Sequence, residues 1–329
     1  MYQPEMYAVA LGFMLISMLC WGSWANTLKF CRGYRFQLFY WDYVVGLIAG
    51  AFVWGLTLGS HGSAGRPLLA DLAAMTPRDA ALSFASGAVF NVANLLLVAA
   101  IDIAGLAVAF PVGIGLALIV GSVSNYLIDP KGNPLLLFGG IALVLVAVVL
   151  DAMAYRVREG QKTAASQRGI VLSLLAGVLM GCFYPLISKA MTGPSAISPY
   201  TAMILFALGV AVCAIPLNFL LMRRPLDGRE SIGMSPYIQA PVAFHFWGVV
   251  GGMIWCAGAI LNFVASQAHI VGPAVSYSIG QGATMVSACW GIFIWHEFAQ
   301  APSRARVLLA WMFVLFLGGL TSIAVAPLF

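Results

Sequence analysis

An all-α integral membrane bundle of ten transmembrane helices, folded as a 5+5 inverted repeat, is the class that the sequence predicts. Three observations lead there. Hydrophobic residues make up 62% of the 329 and charged residues only 8%. Soluble domains carry about 25% charged residues, so this chain lacks the polar surface to cover a water-facing globule. Apolar runs of roughly twenty residues, enough to cross a hydrocarbon core of about 30 Å, recur along the whole length. Finally, the two halves resemble each other.

The runs are taken in order as helices over 7–28, 38–58, 80–100, 104–128, 135–155, 169–190, 200–222, 242–266, 271–295 and 307–326. Their length, and the absence of period-two alternation, selects helices over a barrel. Proline and glycine punctuate the gaps at Gly65-Arg66-Pro67, Asp129-Pro130-Lys131-Gly132, Gly193-Pro194 and Arg224-Pro225. The gaps are too short for a soluble catalytic domain, so function resides in the bundle. The division follows: a first five-helix repeat over 1–155, a central loop over 156–168 and a second, inverted repeat over 169–329.

The repeat is visible in two stretches. Residues 103–115 and 270–282, 167 positions apart, are identical at six of thirteen places, with Phe110 and Tyr277 as an aromatic pair. Ala25-Asn26-Thr27-Leu28-Lys29 and Pro185-Leu186-Ile187-Ser188-Lys189 correspond at an offset of 160. Five helices is an odd number, so the second copy enters the membrane upside down. Such repeats underlie alternating access, with the substrate held near the midplane where the halves meet.

Net charge is +5. The basic residues sit in short loops, which points to orientation in the bilayer and away from nucleic acid. Alternate loops collect twelve Lys and Arg on one side, including Lys29, Arg35, Arg158 and Arg229, and four on the other: Arg66, Arg78, Lys131 and Lys189. The twelve-residue side is expected to be cytoplasmic, with both termini opposite and the central loop cytosolic, in an inner or plasma membrane. The six cysteines form no CxxC pair and are expected to be free thiols. His296-Glu297-Phe298-Ala299-Gln300 falls one residue short of HExxH, because Gln300 stands where the second zinc-binding His belongs. No Cys/His cluster has metal-ligand spacing. Neither a metal nor any other cofactor is expected.

Leu19-Cys20-Trp21-Gly22-Ser23-Trp24-Ala25-Asn26-Thr27-Leu28-Lys29, followed by Phe39-Tyr40-Trp41-Asp42-Tyr43, resembles the ureide permeases. A 5+5 repeat of this length is similar to the drug/metabolite transporter superfamily that contains them. The resemblance implies proton-coupled uptake of ureides such as allantoin, or of uracil-like nucleobases. It also implies a cytosolic central loop. The plant members carry a longer central loop with a Walker A-like motif. Arg158-Glu159-Gly160-Gln161-Lys162-Thr163 lacks that spacing, so no nucleotide binding is expected. The related glucose/ribose uptake branch shares the architecture. Sugar uptake, drug or metabolite export and an intramembrane enzyme are the alternatives; a secondary transporter, and not an enzyme, is the leading reading.

Polar groups inside apolar runs are costly, which makes each a functional candidate. Gly22, Asn26 and Lys29 share a face of the first helix, with Trp21 and Trp24 as a neighbouring ridge. Indoles offer stacking surface and one donor each to a planar amide ring; equally, they can form an interfacial belt. Asp42 is the one acid in the second helix, with Lys29 at matching depth. The two are candidates for proton coupling, or for a static ion pair that pins the hairpin. Asn91 and Asn94 share a face of the third helix. Trp255 and Asn262 lie in the counterpart region, and Tyr277 and Gln281 are one turn apart in the ninth helix. These are candidate substrate contacts, with interhelical hydrogen bonding as the alternative for the asparagines. Asp102 and His269 are placed in short hairpin loops, and Asp151 is a candidate partner of Arg156. The partners implied are a small polar substrate, protons and the lipid bilayer; a homodimer is open to the chain.

Overall fold

The computed structural model describes residues 1–160 and 166–329. Residues 161–165, including half of the 158–163 stretch that lacks the nucleotide-loop spacing, lie outside the described residues. Helix dominates the remainder. Tyr7–Ser23 (α1) and Asn26–Lys29 (α2) are followed by Phe36–Leu56 (α3), Leu68–Ala74 (α4), Pro77–Ala104 (α5), Leu106–Ile128 (α6) and Pro134–Glu159 (α7). The second half contains Gln167–Ala190 (α8), Pro199–Arg223 (α9), Ser235–Ile238 (α10), Val242–Ser266 (α11), Gly272–Gly280 (α12), Ala283–Cys289 (α13) and Ser303–Val325 (α14).

Among the described residues nine helices are long and apolar enough to cross a membrane. The ninth predicted helix, over 271–295, is the one missing from this count, because it is broken. α12 stops at Gly280, and α13 runs into a π-helical turn, Trp290–Ile294. Hydropathy alone does not register the break, because every segment of it is apolar. We number as spans 1 to 10 the unit α1–α2, then α3, α5, α6, α7, α8, α9, α11, the broken segment from α12 to the π turn, and α14. Span 1 also departs from its predicted continuity, turning at Trp24 and Ala25 before α2.

Local chemistry accounts for several ends. Thr76, Asn133 and Ser198 cap α5, α7 and α9 by accepting from backbone N–H groups, and a proline follows each cap directly. Spans 3 and 4 were expected to meet in a short loop. Instead α5 continues to Ala104, and Gly105 alone makes the turn with φ +77°. That conformation disfavours a Cβ, so glycine is required there. Asp102 consequently lies in the last turn of α5 rather than in a loop.

Side chains on α14 show what surrounds the bundle. Val307, Trp311, Val314 and Leu317 form one stripe, each more than half exposed, which suits a lipid-facing surface. The six cysteines are free thiols.

The extensive helix contacts come in mated pairs. Span 1 packs on span 8, and span 6 on span 3. Span 2 packs on span 8, and span 7 on span 3. Span 4 packs on span 6, and span 9 on span 1; spans 2 and 7, 4 and 9, and 5 and 10 also touch. Two of these crossings repeat the same kind of contact. A Cβ added at Gly46 would lie 2.0 Å from the Val249 carbonyl oxygen, and one at Gly252 would lie 2.0 Å from that of Tyr43. In the mated crossing, Gly209 meets the Phe84 oxygen and Gly87 the Phe206 oxygen, again at 2.0 Å. Gly46 and Gly209 are 163 apart, and Gly87 and Gly252 are 165 apart. These offsets fall between the 160 and 167 found in the flanking segments.

The loops gather at two ends. Lys29, Arg158 and Glu297 meet at one, where Arg35 also donates to the Glu230 carbonyl. At the other, the Met1 amine donates to Ala64 and the Ser198 N–H to Asp71. The first is called here the basic end.

Candidate functional site

Near the middle of the bundle, rings from four spans stack into one cluster. The indoles of Trp21 and Trp255 lie 6.0 Å apart at 25°. Trp255 also stacks on Phe206 at 5.6 Å and touches Phe90 at 4.3 Å. Trp21 is wedged between two glycines: a Cβ on Gly258 or on Gly280 would come within 2.6 Å of its ring. The break after α12 thus begins where the indole needs room. Beside this cluster Tyr40 donates to Asn91 Oδ1 at 2.8 Å and stacks on Tyr43 at 5.2 Å; Tyr43 in turn packs 4.9 Å from Trp24.

Hydrogen bonding at this level is incomplete. Trp21 Nε1, Tyr43 Oη, Asn91 Nδ2 and Asn94 Nδ2 are buried and have no partner. Orphaned buried donors cost about 1–3 kcal/mol each, and native proteins keep few of them without a reason. All four can donate a hydrogen bond, and no charged side chain is among them.

Asn262 behaves differently. Its Oδ1 accepts from Tyr184 Oη at 2.6 Å, and its Nδ2 donates to the Ser276 carbonyl at 2.9 Å and to Ser17 Oγ at 3.2 Å. It pins spans 1, 6, 8 and 9 together. Tyr277 is fully buried, and its hydroxyl donates to the Ala117 carbonyl at 3.0 Å. Both serve as interhelical ties here. Gln281 sits half-buried at the break itself.

Toward the basic end, Asp42 does not pair with Lys29. Its Oδ1 accepts from Tyr237 Oη at 2.8 Å and its Oδ2 lies 2.9 Å from His245 Nδ1. Gly248 makes room for the Asp42 side chain on α11. Sequence spacing could not reveal these partners, because they arrive from two hundred residues away. The surrounding loop groups feel the carboxylate: burial and the Asp42 charge push the Cys31 thiol up to about 11 and the Tyr34 phenol up to about 12.

Lys29 turns instead to Glu297 at 2.6 Å. Arg158 reaches the same carboxylate at 3.0 Å, and Tyr155 donates to it at 3.3 Å. His296 adopts φ +52°, a strained conformation for a non-glycine residue, in the turn that delivers Glu297. Burial raises the Glu297 carboxyl, but the bonds and charges of Lys29 and Arg158 outweigh it and hold the group below its ordinary value. Asn26 joins this end of the molecule and not the central cluster, accepting from Trp295 Nε1 at 2.7 Å. Asp151 makes no bond to Arg156; it is buried with Oδ1 unpartnered. Asp102 faces Arg229 loosely at 3.6 Å.

Tyr40, Tyr43, Phe90, Phe206 and Tyr237 were not singled out from the sequence. Tyr40 and Tyr43 flank Asp42 in the motif Tyr40-Trp41-Asp42-Tyr43, which was the available signal.

Comparison with known proteins gives the same architecture a family. A solved crystal structure superposes with a TM-score of 0.59 at 16% identity, covering 96% of each chain, which establishes the shared fold. Ureide permease 4 of Arabidopsis thaliana is 24% identical over 96% of both chains, and ureide permease 1 of the same plant is 24% identical with the same coverage. A Listeria innocua protein named for sugar uptake is 22% identical over 74% of this chain and 79% of its own. The family model described as sugar transport protein matches residues 13–325. With nearly the whole chain inside that match, this multi-pass membrane protein belongs to the sugar transport protein family.

Proposed function

We propose that the chain is a secondary transporter for a small, uncharged, planar solute bearing carbonyl groups, of the ureide or uracil type. The observation that carries this reading is the central set of unpartnered groups, Trp21 Nε1, Tyr43 Oη, Asn91 Nδ2 and Asn94 Nδ2, beside the stacked rings of Trp21, Trp255 and Phe206. Carbonyl oxygens accept from such donors, and a flat ring gains from the aromatic faces. The relatives named ureide permeases support the same class.

Alternating access through an inverted repeat is the proposed mechanism. The mated span contacts and the duplicated glycine crossings support it. The substrate sits against the faces of these rings, beside the unpartnered donors, while the ends open in turn. Asp42 is the proposed proton carrier, with His245 and Tyr237 as the groups that receive or return its proton at the basic end, taken as cytoplasmic.

Sugar uptake is the second reading, favoured by the family model and the Listeria relative. Uptake of radiolabelled allantoin, uracil and glucose into vesicles, with and without a pH gradient, separates them. Gradient-driven accumulation of allantoin or uracil is expected. Accumulation of glucose alone would transfer the assignment to sugars.

A further inference from the structure

Lys29 and Lys189 end spans 1 and 6, 160 positions apart, while Glu297 and Asp129 follow spans 9 and 4, 168 apart. Spans 1 and 9 are neighbours, as are spans 6 and 4. At the basic end the acid and the lysine are joined, Lys29 Nζ lying 2.6 Å from Glu297 Oε1. Just inside that pair, Trp295 Nε1 donates to Asn26 Oδ1 at 2.7 Å. At the opposite end spans 6 and 4 are also joined by an inner bond, at nearby though not equivalent positions: Ser188 Oγ donates to Asn125 Oδ1 at 2.8 Å. Ser188 immediately precedes Lys189, and Asn125 lies one turn before Asp129. The outer partners, however, are parted. Asp129 is held at 3.0 Å by its own neighbour Lys131, and Lys189 is exposed with no ion pair among the described residues.

We propose that Asp129 and Lys189 are a second gate pair, closing the opposite end as Lys29 and Glu297 close the basic end, and joining when the latter part. The inference rests on the alternating-access reading above. Each acid is then clasped by two cations in its closed state: Glu297 by Lys29 and Arg158, Asp129 by Lys189 and Lys131. Exposed pairs of this kind contribute modestly to stability, so one can be exchanged for the other without locking either state.

The test uses uracil counterflow in vesicles holding the full chain. Lys189→Glu and Asp129→Lys are each expected to lower counterflow at least fivefold, and the double reversal to restore it to within twofold. In parallel, a Lys189→Cys/Asp129→Cys chain is oxidised and the linked peptides are quantified by mass spectrometry. Adding Glu297→Gln, which weakens the basic-end pair, is expected to raise that yield severalfold. Full counterflow in both single reversals, or a double variant no better than either, overturns the proposal. So does a cross-link yield unmoved by Glu297→Gln, which also decides the matter if the reversals fail to reach the membrane. Wild-type chain that shows no counterflow of uracil, allantoin or glucose removes the transporter reading and the gate with it. Normal wild-type counterflow with unaffected variants removes the gate alone.

Discussion

Two polar regions of the bundle, less than a few turns apart, are finished to different degrees. Around Asn262, every polar group finds a partner: Tyr184, Ser276 and Ser17 saturate it, Ser122 and Ser278 share a 2.7 Å bond, and Tyr277 ties to Ala117. Around Trp21, Tyr43, Asn91 and Asn94, donors are buried and unmet. Both regions bear the cost of burying polar atoms in an apolar bundle. Only the first recovers it internally. The difference teaches that polarity within a span is ambiguous between glue and site, and that the hydrogen-bond balance separates the two.

The largest expected effect breaks the saturated region. Asn262→Ala leaves Tyr184 Oη and the Ser276 groups to find new partners, and removing one member of a buried network typically costs about 1–3 kcal/mol per orphaned group. Folded yield and thermal midpoint in detergent are expected to fall sharply, ahead of any change in transport. The unsaturated region should respond in the opposite order. Trp21→Phe removes an unpartnered donor and keeps most of the ring; uptake is expected to fall tenfold or more, with the thermal midpoint nearly unchanged. If the midpoint falls as far as in Asn262→Ala, the distinction between the regions collapses.

Asp42→Asn sharpens the comparison at the basic end. Tyr237 and His245 keep a hydrogen-bonding partner, so the fold is expected to persist while pH-gradient-driven accumulation is lost and downhill exchange survives. Accumulation that persists removes Asp42 as the proton carrier. Gly258→Ala is a smaller perturbation: the added methyl displaces the Trp21 ring, and a severalfold rise in KM with little change in maximal rate is expected. The smallest effect is the pH response of the Glu297 cluster. Its carboxyl is held below the ordinary value in the folded chain. The cluster therefore contributes stability above the ordinary carboxylate range and loses it as pH falls through the lowered value. The thermal midpoint of Glu297→Gln should converge on that of wild type in acid and lie slightly below it at neutral pH.

The sequence made the membrane class and most spans legible, because apolar run length is a local property; internal identity is what suggested the proposed repeat. The break in span 9 was not legible, since Gly280, Gln281 and Gly282 interrupt the helix without interrupting the hydropathy. The candidate site was legible by residue type and only partly by its contacts. Trp21 was selected as a stacking group and Trp255 as a candidate substrate contact, and the fold brings the two rings together. Asn26 was selected with them, but it bonds to Trp295, a contact made across the turn at Trp24 and Ala25. Depth along the chain suggested Lys29 beside Asp42. The fold instead brings His245 from span 8 to Asp42 and Glu297 to Lys29, pairings fixed by packing between distant segments.

The duplicated glycine crossings have a mechanical consequence. Where Gly46 and Gly252 interleave with the oxygens of Val249 and Tyr43, and Gly209 and Gly87 with those of Phe84 and Phe206, the backbones are nearly in van der Waals register. Axial slippage would drive each oxygen into the side chain of the next turn, whereas swivelling about the contact leaves it in place. The two crossings are thus rivets rather than rails, and movement of the spans around them is a scissoring whose fulcra lie at these four glycines.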